Sequence, residues 1–99
     1  MMGLEWSPDA VDDLDEIYDT IAEDDVDAAD RMIDEIREVA AGFCAAPRAG
    51  IKIPELDNES FREFYHKMYT IVYEIKEESI RIHEVYHQKR IHIRSYKRG

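Results

Sequence analysis

The spacing of apolar residues changes once along this chain, near Phe61, and that change limits the folds open to it more than any other feature. Before Phe61 the apolar positions recur every three to four residues; after it they alternate. The first period places side chains on one stripe of a helix and the second on one face of a strand. At 99 residues there is room for one domain and one core. Helices must therefore pack on a sheet, which is an α+β arrangement.

Gly3 to Trp6 is short and apolar, and joins a sheet edge in this reading. Ser7-Pro8-Asp9 then offers a cap, a first-turn proline and an acid at the positive end of the helix dipole. A helix follows, with Ala10, Val11, Leu14, Ile17, Tyr18, Ile21 and Ala22 on one face and Asp12, Asp13, Asp15, Glu16 and Asp19 on the other. Glu23 to Asp27 interrupts the stripe, and Asp25 or Asp27 can cap a second helix running through Ala29, Met32, Ile33, Ile36, Val39, Ala40 and Phe43 to about Ala46. Pro47, Gly50 and Pro54 predict an irregular connection.

Phe61 to His66 and Met68 to Ile75 read as strands. Tyr69, Ile71, Tyr73 and Ile75 are expected to face the helices, leaving Thr70, Val72 and Glu74 on an outward, cationic side of the sheet. Lys76 to Ser79 makes a polar hairpin loop. Ile80 and Ile82 alternate with Arg81 and His83, but Val85 falls out of phase, which a bulge near His83 or Glu84 would repair. Ile91 and Ile93 suit either a last strand or part of a basic tail at 91–99. The expected fold class is thus α+β, a helical hairpin on a small antiparallel sheet in the order β-α-α-β-β-β, forming a single domain over 1–99.

The net charge of −10 hides a division. Residues 1–60 carry 18 Asp/Glu against 4 Lys/Arg, net −14, while residues 61–99 carry 5 against 9, net +4. All four histidines, His66, His83, His87 and His92, also lie in the second part. Any surface for an anionic partner is expected there. The only cysteine, Cys44, excludes an internal disulfide and suits a reducing compartment. The opening MMGLEWSPDA lacks a basic and apolar leader, and no stretch approaches the ~20 apolar residues of a membrane span, so a cytoplasmic protein without a membrane partner is expected.

His83 and His87 stand four apart on a strand, roughly 13 Å at ~3.3 Å per residue, too far to share an ion, so no metal and no cofactor is expected. Ser60, Ser79 and Ser95 lie beside no strand-to-helix elbow, and four glycines form no phosphate loop. RNA cleavage needs a base, an acid and cations around a phosphate. Arg62, Lys67, Arg81, His66, His83, Tyr86, His87 and Arg90 include every type required. The segment after Glu84 has no acid, and Arg90, Arg94, Lys97 and Arg98 alternate there with Ile91, Ile93 and Tyr96, which suits docking to a protein surface.

The phrases LEWSPDAVDDLDEIYDTIA, DAADR at 27–31, APRAG at 46–50, FREF at 61–64, YTIVYEI at 69–75 and IRIHEVYHQKR at 80–90, in that order, resemble the RelE/ParE superfamily of type II toxin–antitoxin systems. The ending HQKR at 87–90 is more similar to the ParE branch, while Thr70 stands where many relatives carry a basic residue. The resemblance implies a toxin that inhibits DNA gyrase by protein–protein binding and is neutralised by a cognate antitoxin. Arg62, His87, Arg90 and Arg94 are then the expected contacts. The RelE-like alternative is a ribosome-dependent endoribonuclease of mRNA, with Arg62, Lys67 and Arg81 for phosphate and His83, Tyr86 or His87 for proton transfer. A third is a degenerate toxin that only binds antitoxin. A homodimer and a toxin–antitoxin hetero-oligomer both remain open.

Overall fold

The computed structural model describes residues 2–89. Arg90, Arg94 and the tail 91–99, together with the last strand considered there, lie outside the described residues. The elements follow the order β1 (Gly3–Trp6), α1 (Pro8–Ala22), α2 (Val26–Gly42), β2 (Ile51–Lys52), β3 (Phe61–His66), β4 (Tyr69–Ile75) and β5 (Ser79–His87), with a single 3₁₀ turn at Pro47–Ala49. The helical hairpin lies on one face of a five-stranded sheet of order β1-β5-β4-β3-β2.

Local chemistry sets the helix ends. Ser7 is buried, and its Oγ accepts from Ala10 N at 3.0 Å while donating to His83 O at 2.9 Å. The cap therefore also ties the helix start to the sheet. Asp25 caps α2 through Ala28 N. This helix stops at Gly42, short of Ala46: Phe43, Cys44 and Ala45 each donate three residues back, to Ala40, Ala41 and Gly42, tightening the last turn before Pro47.

The sheet is antiparallel through β2 to β5, but β1 pairs parallel to β5, Leu4 opposite Ile80 and Trp6 opposite Ile82. The sheet is mixed because the helical hairpin is long enough to carry the chain back for a parallel edge. Short β2 was not anticipated. At β5 the ladder passes from Val72 opposite Glu84 to Tyr73 opposite Ile82, so His83 is the extra residue. Val85, out of phase in sequence, regains the inner face, and its N–H donates to Asp13 Oδ2 of α1 at 2.9 Å.

The core lies between the layers: Ala10, Leu14 and Ile17 of α1 and Ile36, Ala40 and Phe43 of α2 meet Tyr69, Ile71, Tyr73, Ile80, Ile82 and Val85. Phe43 stacks on Tyr73 with centroids 4.0 Å apart and meets Phe64 edge-on at 5.4 Å. Burying each such ring stabilises the fold by about 1.5–3 kcal/mol. The opposite face is not wholly open, contrary to the expected outward side. Ile53 and Leu56 cover Val72, with Phe61 and Tyr86 at the rim. Apolar residues after Pro47 thus form a second, smaller core.

Candidate functional site

One end of the sheet collects the β3–β4 turn, the end of β5 and the second half of α1. Lys67 in that turn adopts φ 54°, a left-handed conformation. Its carbonyl accepts from Gln88 Nε2 at 3.2 Å, and Met68 O accepts from Gln88 N at 2.8 Å, so the turn grips the chain as it leaves β5. Register places His87 opposite Tyr69, and their rings meet edge-on at 5.6 Å. Lys89 N donates to His87 Nδ1 at 3.1 Å, which leaves Nε2 as the donor of the neutral ring.

A cleft of about 220 Å³ opens there, lined by Glu16, Ile17 and Thr20 from α1 and by Tyr69, Tyr86 and His87 from the sheet. Two phenols, an imidazole, a hydroxyl and a carboxylate surround one apolar floor. Such a mixture suits recognition of a side chain with an apolar body and a polar tip. Burial raises the Tyr69 phenol above its ordinary value, so it stays protonated as a donor.

Of the other sequence-derived candidates, His66 and Lys67 flank the same turn, while Arg62, Arg81 and His83 lie farther along the sheet. Arg62 is buried at 8% exposure on the helix-facing side of β3, opposite Tyr73. Its Nε donates to Glu59 O at 3.0 Å and a terminal nitrogen to Gly50 O at 3.4 Å, fixing the connection between β2 and β3. Arg81 faces the opposite side beside β1, 3.3 Å from Glu5 Oε1, and Lys76 reaches the same oxygen at 3.9 Å. Hydrogen bonds from Ser79 and Arg81 hold the Glu5 carboxyl below its usual range. His83, the bulged residue, lies 2.9 Å from Glu74 Oε1 through Nε2 and stacks on Phe61 at 5.3 Å. Lys67 pairs with Glu35 of α2 at 2.8 Å, and His66 Nε2 lies 2.8 Å from the same Oε1.

Tyr86, His87 and the turn that carries Lys67 thus share one end of the sheet, whereas Arg62 and Arg81 do not reach it, and the Lys67 ammonium is paired with Glu35. Arg81 lies opposite Glu74 and His87 opposite Tyr69, five positions apart on β4 and hence roughly 17 Å at ~3.3 Å per residue. Sequence reasoning missed Glu16, Thr20, Glu35 and Gln88. Glu16 sits on an acidic helix face with nothing local to set it apart, and Glu35 differs from its neighbours only through the turn packed against it. Among the described residues, no group of three or more His, Cys, Asp and Glu side chains could hold a metal ion. No helix among them is long and apolar enough to cross a membrane.

A helical hairpin packed on a mixed sheet is the fold of a solved structure described as the chromosomal ParDE TA system from P. aeruginosa. The two superpose with a TM-score of 0.73 at 22% identity, over 88% of this chain and 96% of that one. The family model for the ParE toxin of the type II toxin-antitoxin system, parDE, matches residues 4–92, and the chain belongs to that family. No curated protein matches the chain.

Proposed function

We propose that this ParE-family toxin acts in the cytoplasm as one domain over 1–99, inhibiting DNA gyrase by direct binding and being neutralised by a cognate antitoxin. The observation that carries the binding reading is the dispersal of the cations. Arg62 is spent on backbone carbonyls, Arg81 on Glu5 and Lys67 on Glu35, at separate places on the sheet. Phosphate cleavage requires such groups to converge within a few ångströms of one reacting centre. Binding requires only a shaped surface. The sheet end supplies one in His87 and the cleft beside it, followed in sequence by Arg90 and Arg94.

In this reading His87, Arg90 and Arg94 contact the target, and Arg62 supports them indirectly by holding the β2–β3 connection. Inhibition is occupancy of gyrase without bond chemistry, so potency follows affinity. The antitoxin has a separate place to dock: a groove lined by Leu4, Trp6, Val11, Leu14, Asp15 and Arg37 beside edge strand β1. An apolar floor rimmed by one acid and one base accommodates an amphipathic segment.

Supercoiling by purified gyrase and message integrity in a translating extract test the proposal together. Loss of supercoiling with intact message, reversed by the protein encoded in the adjacent reading frame, is the expected result. Cleaved message with normal supercoiling would replace it by the RelE-like endoribonuclease. Inactivity in both assays with retained antitoxin binding would indicate a degenerate toxin.

A further inference from the structure

The carboxylate of Glu35 connects α2 to the proposed target-facing end. Glu35 Oε1 accepts from Lys67 Nζ at 2.8 Å and lies 2.8 Å from His66 Nε2, so α2 holds both residues entering the β3–β4 turn. The turn in turn holds β5 through Lys67 O to Gln88 Nε2 and Met68 O to Gln88 N. The path Glu35, Lys67, Gln88 ends beside His87 and Lys89.

The residue at φ 54° is informative. Glycine enters this region without the steric cost an L side chain meets there. Lysine supplies what glycine lacks, an ammonium that reaches Glu35. A backbone requirement alone would be met better by glycine; the ion pair accounts for the side chain.

We infer that Glu35 is a positioning residue that, through Lys67 and Gln88, fixes the end of β5 from which His87 faces its cleft. Its effect on gyrase rests on the function proposed above, whereas the mechanical link rests on the hydrogen bonds alone. The competing explanation is an ordinary surface ion pair of no consequence, since Lys67 is 56% and Glu35 35% exposed in their side chains.

Amide hydrogen exchange on the full chain separates the two. Glu35→Ala and Lys67→Gly should each accelerate exchange at the Gln88 amide by about threefold to tenfold, without changing exchange at Ile80 and Ile82. The double variant should do no more than either single one, because both break the same link. Glu38→Ala, an exposed acid on the same helix, should leave Gln88 unchanged. The concentration of toxin that halves supercoiling should rise by a similar factor in both latch variants, with antitoxin affinity unaltered. Unchanged Gln88 exchange, additive effects in the double variant, or an equal effect of Glu38→Ala would overturn the inference. If the unmodified protein leaves supercoiling untouched, the gyrase reading fails, and the exchange data still decide the latch.

Discussion

Asp13 of α1 accepts a hydrogen bond from Val85 N at 2.9 Å, immediately beyond the point where His83 bulges out of β5. Strand β1 pairs with β5 only as far as Ile82, so no strand flanks Val85 on that side, and a helix carboxylate reaches across the layer boundary to its backbone donor. The irregularity that re-aims His83 toward Glu74 and Phe61 is thus stabilised from the opposite face.

Removing that acceptor is the first test. Asp13 is 4% exposed, and leaving a buried donor without its acceptor costs about 1–3 kcal/mol. Asp13→Ala should cost about 2–3 kcal/mol in urea denaturation, and Asp13→Asn, which keeps an acceptor, less than half of that. Equal losses for the two would show that charge rather than acceptance matters.

Gly50 and Tyr73 form a second fixed point. Tyr73 Oη accepts from Gly50 N at 2.8 Å and donates to Pro47 O at 2.7 Å. A Cβ added at Gly50 would stand 2.7 Å from Glu63 O and 2.9 Å from the Tyr73 ring. Gly50→Ala is expected to cost about 1–3 kcal/mol by overpacking and Tyr73→Phe a similar amount by stranding the Gly50 donor, both read as shifts in the denaturation midpoint.

Alkaline pH should weaken the fold in a definite window. Burial raises the Tyr73 and Tyr69 phenols above 10.0, and the Glu63 carboxylate pushes Tyr65 up to about 12. Folded values above the unfolded one mean a contribution fully present below pH 10.0 and lost as pH rises through the folded values. Stability should be flat up to about pH 10 and fall beyond it. Phenolate absorbance should appear later in the folded than in the unfolded chain.

On the acid side the sign reverses. Glu5, held down by Ser79 and Arg81, and Glu35, held down by Lys67 and His66, have folded values below 4.5. Their contribution is present above 4.5 and lost as pH falls through the lowered values. Glu5→Gln should flatten the acid limb of the stability profile, and added salt should do the same to the unmodified protein.

Arg62 and His87 should part company functionally. Arg62→Ala removes a buried guanidinium from two carbonyls and should cost about 2–3 kcal/mol, with Arg62→Lys a poor rescue because an ammonium lacks the fork. Supercoiling inhibition should then fall only with the folded fraction. His87→Ala should leave the melting temperature within a few degrees and raise the half-inhibiting concentration about ten- to thirtyfold. The reverse pattern would move the contact surface to Arg62.

Much of this molecule was legible in its residues. Ser7-Pro8 marked the first helix start, Asp25 was one of two acids that could cap the second, Tyr69 to Ile75 showed which face meets the helices, and the phase slip at Val85 announced the bulge. What escaped depends on distant partners. Arg62 looks like a surface cation until alternation along β3 turns it inward, against carbonyls that only the β2–β3 connection brings near. Ile53 and Leu56 sit among prolines and acids with no period to follow, so their cover over Val72 was invisible. The parallel direction of β1 is set by the return path of two helices rather than by its four residues.

That parallel edge also governs timing. Gly3 to Trp6 pair with Ser79 to Ile82, and Ser7 Oγ reaches His83 O across 76 positions, so almost the entire chain must be synthesised before its first strand finds a neighbour. Contacts this remote close slowly, after the cost of a long loop is met. A nascent copy therefore emerges with its first strand unpaired, and the edge of β5 that this strand will cover stays open until residues 79–82 have been made and closure follows.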